Sequence, residues 1–122
     1  MSFWDSIQHF RPEEFACPCC GKTLMDGHFI QKLDAARDYL GIPFKINSGY
    51  RCPEYNDQIS STGTTGPHTT GKAADIALAY GDARKALTTL STRFGGIGIK
   101  QHGPREGRFI HVDDLAQRIW TY

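Results

Sequence analysis

His68 and Asp75 share the segment Pro67-His68-Thr69-Thr70-Gly71-Lys72-Ala73-Ala74-Asp75, and His111 lies in Phe109-Ile110-His111-Val112-Asp113. Two imidazoles and one carboxylate can hold a zinc ion while leaving one coordination position open, the property that separates a catalytic zinc from a structural one. An ion held in this way activates water near neutral pH and polarises a carbonyl oxygen. The pattern therefore points to metal-assisted hydrolysis, with an amide bond as the expected target. Each residue also has a plainer explanation. A histidine near a strand end is commonly a surface or core residue, and His9 and His28 read as surface positions. Asp75 is harder to dismiss, because a carboxylate inside Ala-Ala-Asp-Ile-Ala costs several kcal/mol, roughly, unless it is paired or metal-bound. A salt bridge to Lys72 or Arg51 is the alternative for it.

The elements that must position these groups read as follows. Asp26 is a good N-cap for a helix whose inner face is Phe29, Leu33, Ala36 and Leu40, and Gly41 and Pro43 stop it. Phe44 to Ser48 alternates as a strand, and Pro53-Glu54-Tyr55-Asn56 opens a short helix. Ser60 to Pro67 is rich in Ser, Thr and Gly and predicts a flexible flap leading into His68. Ala73 to Leu78 predicts a buried strand. Asp82 is expected to cap a second long helix with Ala86, Leu87 and Leu90 inward, ended by Gly95-Gly96. Gly96 to Ile99 and Arg108 to Val112 predict the last two strands, an antiparallel pair joined by the polar loop from Lys100 to Gly107. The expected class is α+β, with helices packed on a small, mostly antiparallel sheet. Side chains alternate along a strand, so Asp75 shares a face with Ala73 and Ala77, and His111 shares one with Phe109 and Asp113.

A length of 122 residues predicts one domain, residues 1–122, with a Cys-containing N-terminal segment, 1–25, packed on it. The formal charge of +1 gives no electrostatic footprint for nucleic acid or an anionic membrane. No apolar run is long enough for a membrane span, and Met1-Ser2-Phe3-Trp4-Asp5 does not open as a secretory signal. A monomer is expected. Cys17 and Cys20 form a C-x-x-C followed by Gly21-Lys22, half of a zinc knuckle whose second half is absent. Buried thiols, or one disulfide from the N-terminal loop to Cys52, are the favoured reading. A second, structural metal on Cys17, Cys20 and Cys52 is the alternative.

Taken in order, Ser48-Gly49-Tyr50-Arg51-Cys52-Pro53, His68 with Gly71 and Ala73-Ala74-Asp75-Ile76, Gly95-Gly96-Ile97-Gly98, and Phe109-Ile110-His111-Val112-Asp113 resemble the zinc D-alanyl-D-alanine carboxypeptidase family. The likeness runs from about Glu14 to Trp120 and is strongest to small carboxypeptidases and phage-type murein peptidases. It implies the hedgehog/DD-peptidase fold, one zinc on His68, Asp75 and His111, and peptidoglycan stem peptides as substrate. It further implies that Arg51, helped by Ser48 and Tyr50, grips a substrate carboxylate, a role suited to a planar guanidinium; a structural ion pair with Asp75 or Glu54 is the alternative. The chain departs from the family in two places. Arg108 stands where an acidic general base is often found, and Phe109 replaces the first His of a common His-x-His. Asp113 is then the first choice for the base, with a role in orienting a ligand imidazole as its equal alternative. Glu106 is the next choice, and His102 is a candidate oxyanion stabiliser. Tyr55, Trp120 and Tyr122 could line a groove or serve as packing. The bond cut is left open between D-Ala-D-Ala, L-Ala-D-Glu and a cross-link. A domain this small, with no signal and no wall-binding module in view, suits a phage or prophage lysis protein. Two other readings stand beside hydrolysis: a zinc-stabilised binding module, and a nucleic-acid-binding zinc protein built on the cysteines, which the near-zero charge opposes.

Overall fold

The computed structural model describes residues 2–122. Three helices and five strands follow the chain: α1 (Gly27–Leu40), β1 (Lys45–Ser48), α2 (Pro53–Ile59), β2 (Ala73–Ala77), α3 (Tyr80–Arg93), β3 (Gly96–Lys100), β4 (Phe109–Asp113) and β5 (Arg118–Thr121). The strands form one sheet in the order β1-β2-β4-β3-β5, antiparallel except for the β3–β5 pair. The fold is α+β, as the sequence pattern predicts.

The ends of α1 obey local chemistry. The Asp26 carboxylate accepts from the Phe29 N–H at 3.0 Å, and Gly41 closes the helix with φ of 66°, a conformation costly for other residues. Helix α3 starts earlier than expected. Its N-cap is Ala79, which has no side-chain acceptor, and Asp82 lies in the first turn, where its charge still complements the helix dipole. The segment expected as a loose flap contains one 3-10 turn, Gly63–Thr65, and leads into a second, Pro67–Thr70.

The two sheet faces differ in chemistry. Ala74, Ile76, Ile97, Ile110 and Val112 face one way and pack with Phe29, Leu33, Ala86 and Leu90 of the helices. Phe10 and Phe15, from the N-terminal segment, join the same core. The opposite face carries Asp75, His111 and Asp113. Cross-strand pairing places Ser48 beside Asp75, Asp75 beside His111, His111 beside Gly98, and Gly98 beside Trp120. One row therefore crosses all five strands and holds most of the chemistry.

Strand β5 is not among the expected elements, and it changes the meaning of Gly95-Gly96. Helix α3 already ends at Arg93. The link from β4 to β5 crosses the start of β3, and a Cβ on Gly95 would collide with the Leu115 carbonyl. A Cβ on Gly96 would collide with the Asp113 carboxylate. The glycines are there for close approach, and the helix stops without them.

Candidate metal centre

His68 sits in the 3-10 turn Pro67–Thr70, Asp75 in β2 and His111 in β4. All three are buried, with exposures of 4%, 7% and 3%. One ligand-capable atom from each lies within 4.8 Å of the other two. His68 Nε2 is 3.3 Å and His111 Nδ1 2.9 Å from the same Asp75 oxygen, Oδ1. A tetrahedral zinc with bonds of ~2.0–2.1 Å has ligand–ligand edges of about 3.3–3.4 Å, so both separations are close to the size a zinc needs.

The hydrogen bonds behind the histidines make the case stronger. His68 Nδ1 is 2.8 Å from the Gly49 carbonyl, which can only accept, so Nδ1 carries the proton and Nε2 presents a lone pair. His111 lies between two acceptors, Nε2 2.7 Å from Asp113 Oδ2 and Nδ1 2.9 Å from Asp75 Oδ1, and a neutral ring protonated on Nε2, the shorter contact, presents its Nδ1 lone pair. In that tautomer two lone pairs and a carboxylate oxygen converge. Such a set needs a cation or an extra proton, and the residues present fit a zinc ion. The electrostatics express the same demand. Burial pushes the Asp75 carboxyl up, but the hydrogen bonds and charges of His111 and His68 outweigh it and hold the group well below the usual carboxylate range. Burial pushes His111 down, and Asp113 and Asp75 more than reverse it, raising its affinity for positive charge.

A cavity of about 760 Å³ opens over this cluster, and Arg51, Arg118, Trp120 and Tyr122 are among its walls. Arg51 is held by three acceptors. Nε donates to Ser48 Oγ at 3.0 Å, Nη1 to Asn56 Oδ1 at 3.1 Å and Nη2 to Asp75 Oδ2 at 3.4 Å. The ion pair with Asp75 raised as an alternative is thus present, while the guanidinium still faces the cavity. Ser48 acts on Arg51 and does not line the cavity. Tyr50 is buried against Cys17 and Cys52 and is also absent from the wall.

None of the three residues considered for proton transfer or oxyanion contact is on the cavity wall. Asp113 is fully buried and spoken for: it binds His111, takes both Arg118 nitrogens at 3.0 and 2.7 Å, and accepts from the Leu115 N–H. Burial raises the Asp113 carboxyl, but His111 and Arg118 bring it down to about 2. This geometry matches the orienting role. Glu106 faces a separate depression with Asp82 and Arg108. His102 is exposed, with Nε2 3.1 Å from the Tyr122 carbonyl. Among the described residues lining the cavity, Asp75 is the only carboxylate.

Sequence reasoning missed Asn56 and Arg118. Asn56 is completely buried and joins Arg51 to the 59–66 segment, its Nδ2 donating to Thr62 Oγ1 at 2.8 Å and the Gly63 carbonyl at 2.5 Å. A polar residue on the inner face of a short helix was the available signal. Arg118 had none, since its strand was not foreseen. Trp120 does line the cavity, its ring 5.0 Å from that of His111, and Arg118 lies over it at 4.8 Å. Tyr55 packs instead on the cysteine cluster.

The family description of peptidase M15 matches residues 8–113, and the chain belongs to that family of zinc-dependent metallopeptidases. No curated protein matches the chain.

Proposed function

We propose that this protein is a zinc peptidase that hydrolyses amide bonds in peptidoglycan stem peptides, as a D-alanyl-D-alanine carboxypeptidase or a murein endopeptidase. The observation that carries the reading is the convergence of His68, Asp75 and His111 beneath an open cavity. Zinc on these three residues would supply a Lewis acid for the scissile carbonyl and bring the pKa of water toward ~7. Gly49 and Asp113 fix the two imidazole tautomers, so both near nitrogens stay available. Arg51, clamped by Ser48 and Asn56, offers the cavity a fixed guanidinium for a stem-peptide carboxylate. Arg118 adds a second positive charge on the wall. Burial pushes the Tyr122 phenol above its ordinary value, so it keeps its proton and can donate to a developing oxyanion.

The test is digestion of purified peptidoglycan and defined muropeptides, read by mass spectrometry. New termini that disappear in His68→Ala and His111→Ala, with loss of one zinc, are expected. Full activity in either variant would sink the assignment. A second reading, a zinc-stabilised module that binds wall peptides without cutting them, is favoured by the lack of a second carboxylate among the described residues on the cavity wall. Zinc-loaded protein that binds muropeptides and releases no new termini would select it.

A further inference from the structure

Away from the histidine cluster, the chain brings together a second set of metal-capable side chains. The Sγ atoms of Cys17, Cys20 and Cys52 lie within 4.8 Å of one another. All four cysteines are free and Cys17 and Cys52 are buried, so of the two favoured alternatives the buried thiols are present and the disulfide to Cys52 is not. A tetrahedral zinc with Zn–S bonds of ~2.3 Å has S–S edges of about 3.8 Å, a spacing that small side-chain rotations reach from here.

Two further features support the grouping. The first is the turn itself. The Gly21 N–H donates to the Cys17 carbonyl and the Cys17 N–H to the Lys22 carbonyl, each at 2.8 Å, while Gly21 takes a φ of 73°. This closure puts the Cys17 and Cys20 side chains on one side of a tight loop. The second is a donor from the facing segment: the Cys52 N–H reaches Cys17 Sγ at 3.3 Å, tying the two ligand-bearing stretches together. Zinc would take these sulfurs as thiolates. Cys17 and Cys52 are buried with Tyr50, Met25 and Tyr55 around them, and Cys20 closes the set from the solvent side.

We propose that Cys17, Cys20 and Cys52 form a structural zinc site distinct from the histidine cluster. Thiolate-rich, tetrahedral surroundings select zinc among common divalent ions. Binding releases the thiol protons to solvent and involves no redox change. Three cysteines leave a fourth position, which a water or the exposed neighbour Cys19 would fill. The site would clamp the N-terminal loop to the Ser48–Cys52 segment, where the Gly49 carbonyl holds His68 and Arg51 faces the cavity. The proposal is independent of whether the protein hydrolyses anything.

The test is cobalt(II) titration of reduced, metal-stripped protein, read by absorbance and by metal content. Wild type should take two equivalents, one of which gives a thiolate-to-cobalt charge-transfer band. A His68→Ala/His111→Ala variant should keep that band and one equivalent. Cys20→Ser, at an exposed position that folding tolerates, should lose the band and keep the other equivalent; Cys17→Ser should do the same. No charge-transfer band in wild type or in the histidine variant would overturn the proposal. A Cys17–Cys52 disulfide in the freshly isolated protein, found by thiol counting, would overturn it too.

Discussion

Arg51 shows how much of a residue's meaning lies in what holds it. Its three nitrogens meet Ser48, Asn56 and Asp75 in three directions, a demand that a lysine ammonium cannot meet. Arg51→Ala should lower kcat/KM by roughly 10- to 150-fold, equivalent to the ~1.5–3 kcal/mol of a charged hydrogen bond. Zinc content should be unchanged, and Arg51→Lys should not restore the rate; steady-state kinetics on a muropeptide check both. Asp113 separates two roles by experiment. Acting through His111, it makes Asp113→Asn lose about 10- to 100-fold in zinc affinity, measured by competition with a chelator. A collapse of kcat with zinc affinity intact would mark it as the base instead. Its pH signature has a definite sign. The folded carboxyl is depressed to about 2 from an ordinary 3.8, so its contribution to stability is present above 3.8 and is lost as pH falls toward about 2. Urea midpoints of the metal-free protein between pH 5 and 2 should fall less steeply in Asp113→Asn than in wild type.

At the scale of elements, β5 is the decisive addition. It brings Trp120 across Gly98, where a Cβ would lie 2.6 Å from the indole. Gly98→Ala should displace the ring, destabilise the fold by about 1–3 kcal/mol as an overpacked site does, and weaken the near-ultraviolet circular dichroism of tryptophan. Hydrolysis should fall while the zinc stoichiometry holds; an unmoved Trp120 signal would refute the contact. The sequence could not announce this strand. Arg118, Ile119, Trp120 and Thr121 lie at a sheet edge with three of four exposed, so no alternation of polar and apolar residues marks them. Helix α1 was legible because its cap, its apolar stripe and its terminal glycine are all local signals. The start of α3 was not, because its N-cap Ala79 carries no side-chain acceptor. The three cluster residues were legible from residue type and order. The placement of Glu106 and His102 away from the cavity wall was not, because it depends on which way a loop folds.

For the molecule as a whole, the N-terminal segment is part of the core. Phe15 is fully buried, and its carbonyl accepts from the Tyr50 N–H at 2.9 Å, beside the Gly49 carbonyl that orients His68. Phe15→Ala should cost about 3–5 kcal/mol, seen as a lower urea midpoint. A loss below 1 kcal/mol would mean that the segment is only draped on the domain. The division of the sheet into two faces has a wider bearing. Ser48, Asp75, His111, Gly98 and Trp120 are neighbours through backbone pairing, so interstrand distances of ~4.7–4.9 Å set their spacing. Mutational drift among the aliphatic residues beneath can proceed without shifting that rank, provided their volume is kept. A sequence library confined to the helical layer could thus tune thermal endurance while leaving reactivity alone, and variation along the rank could alter reactivity on an unchanged scaffold.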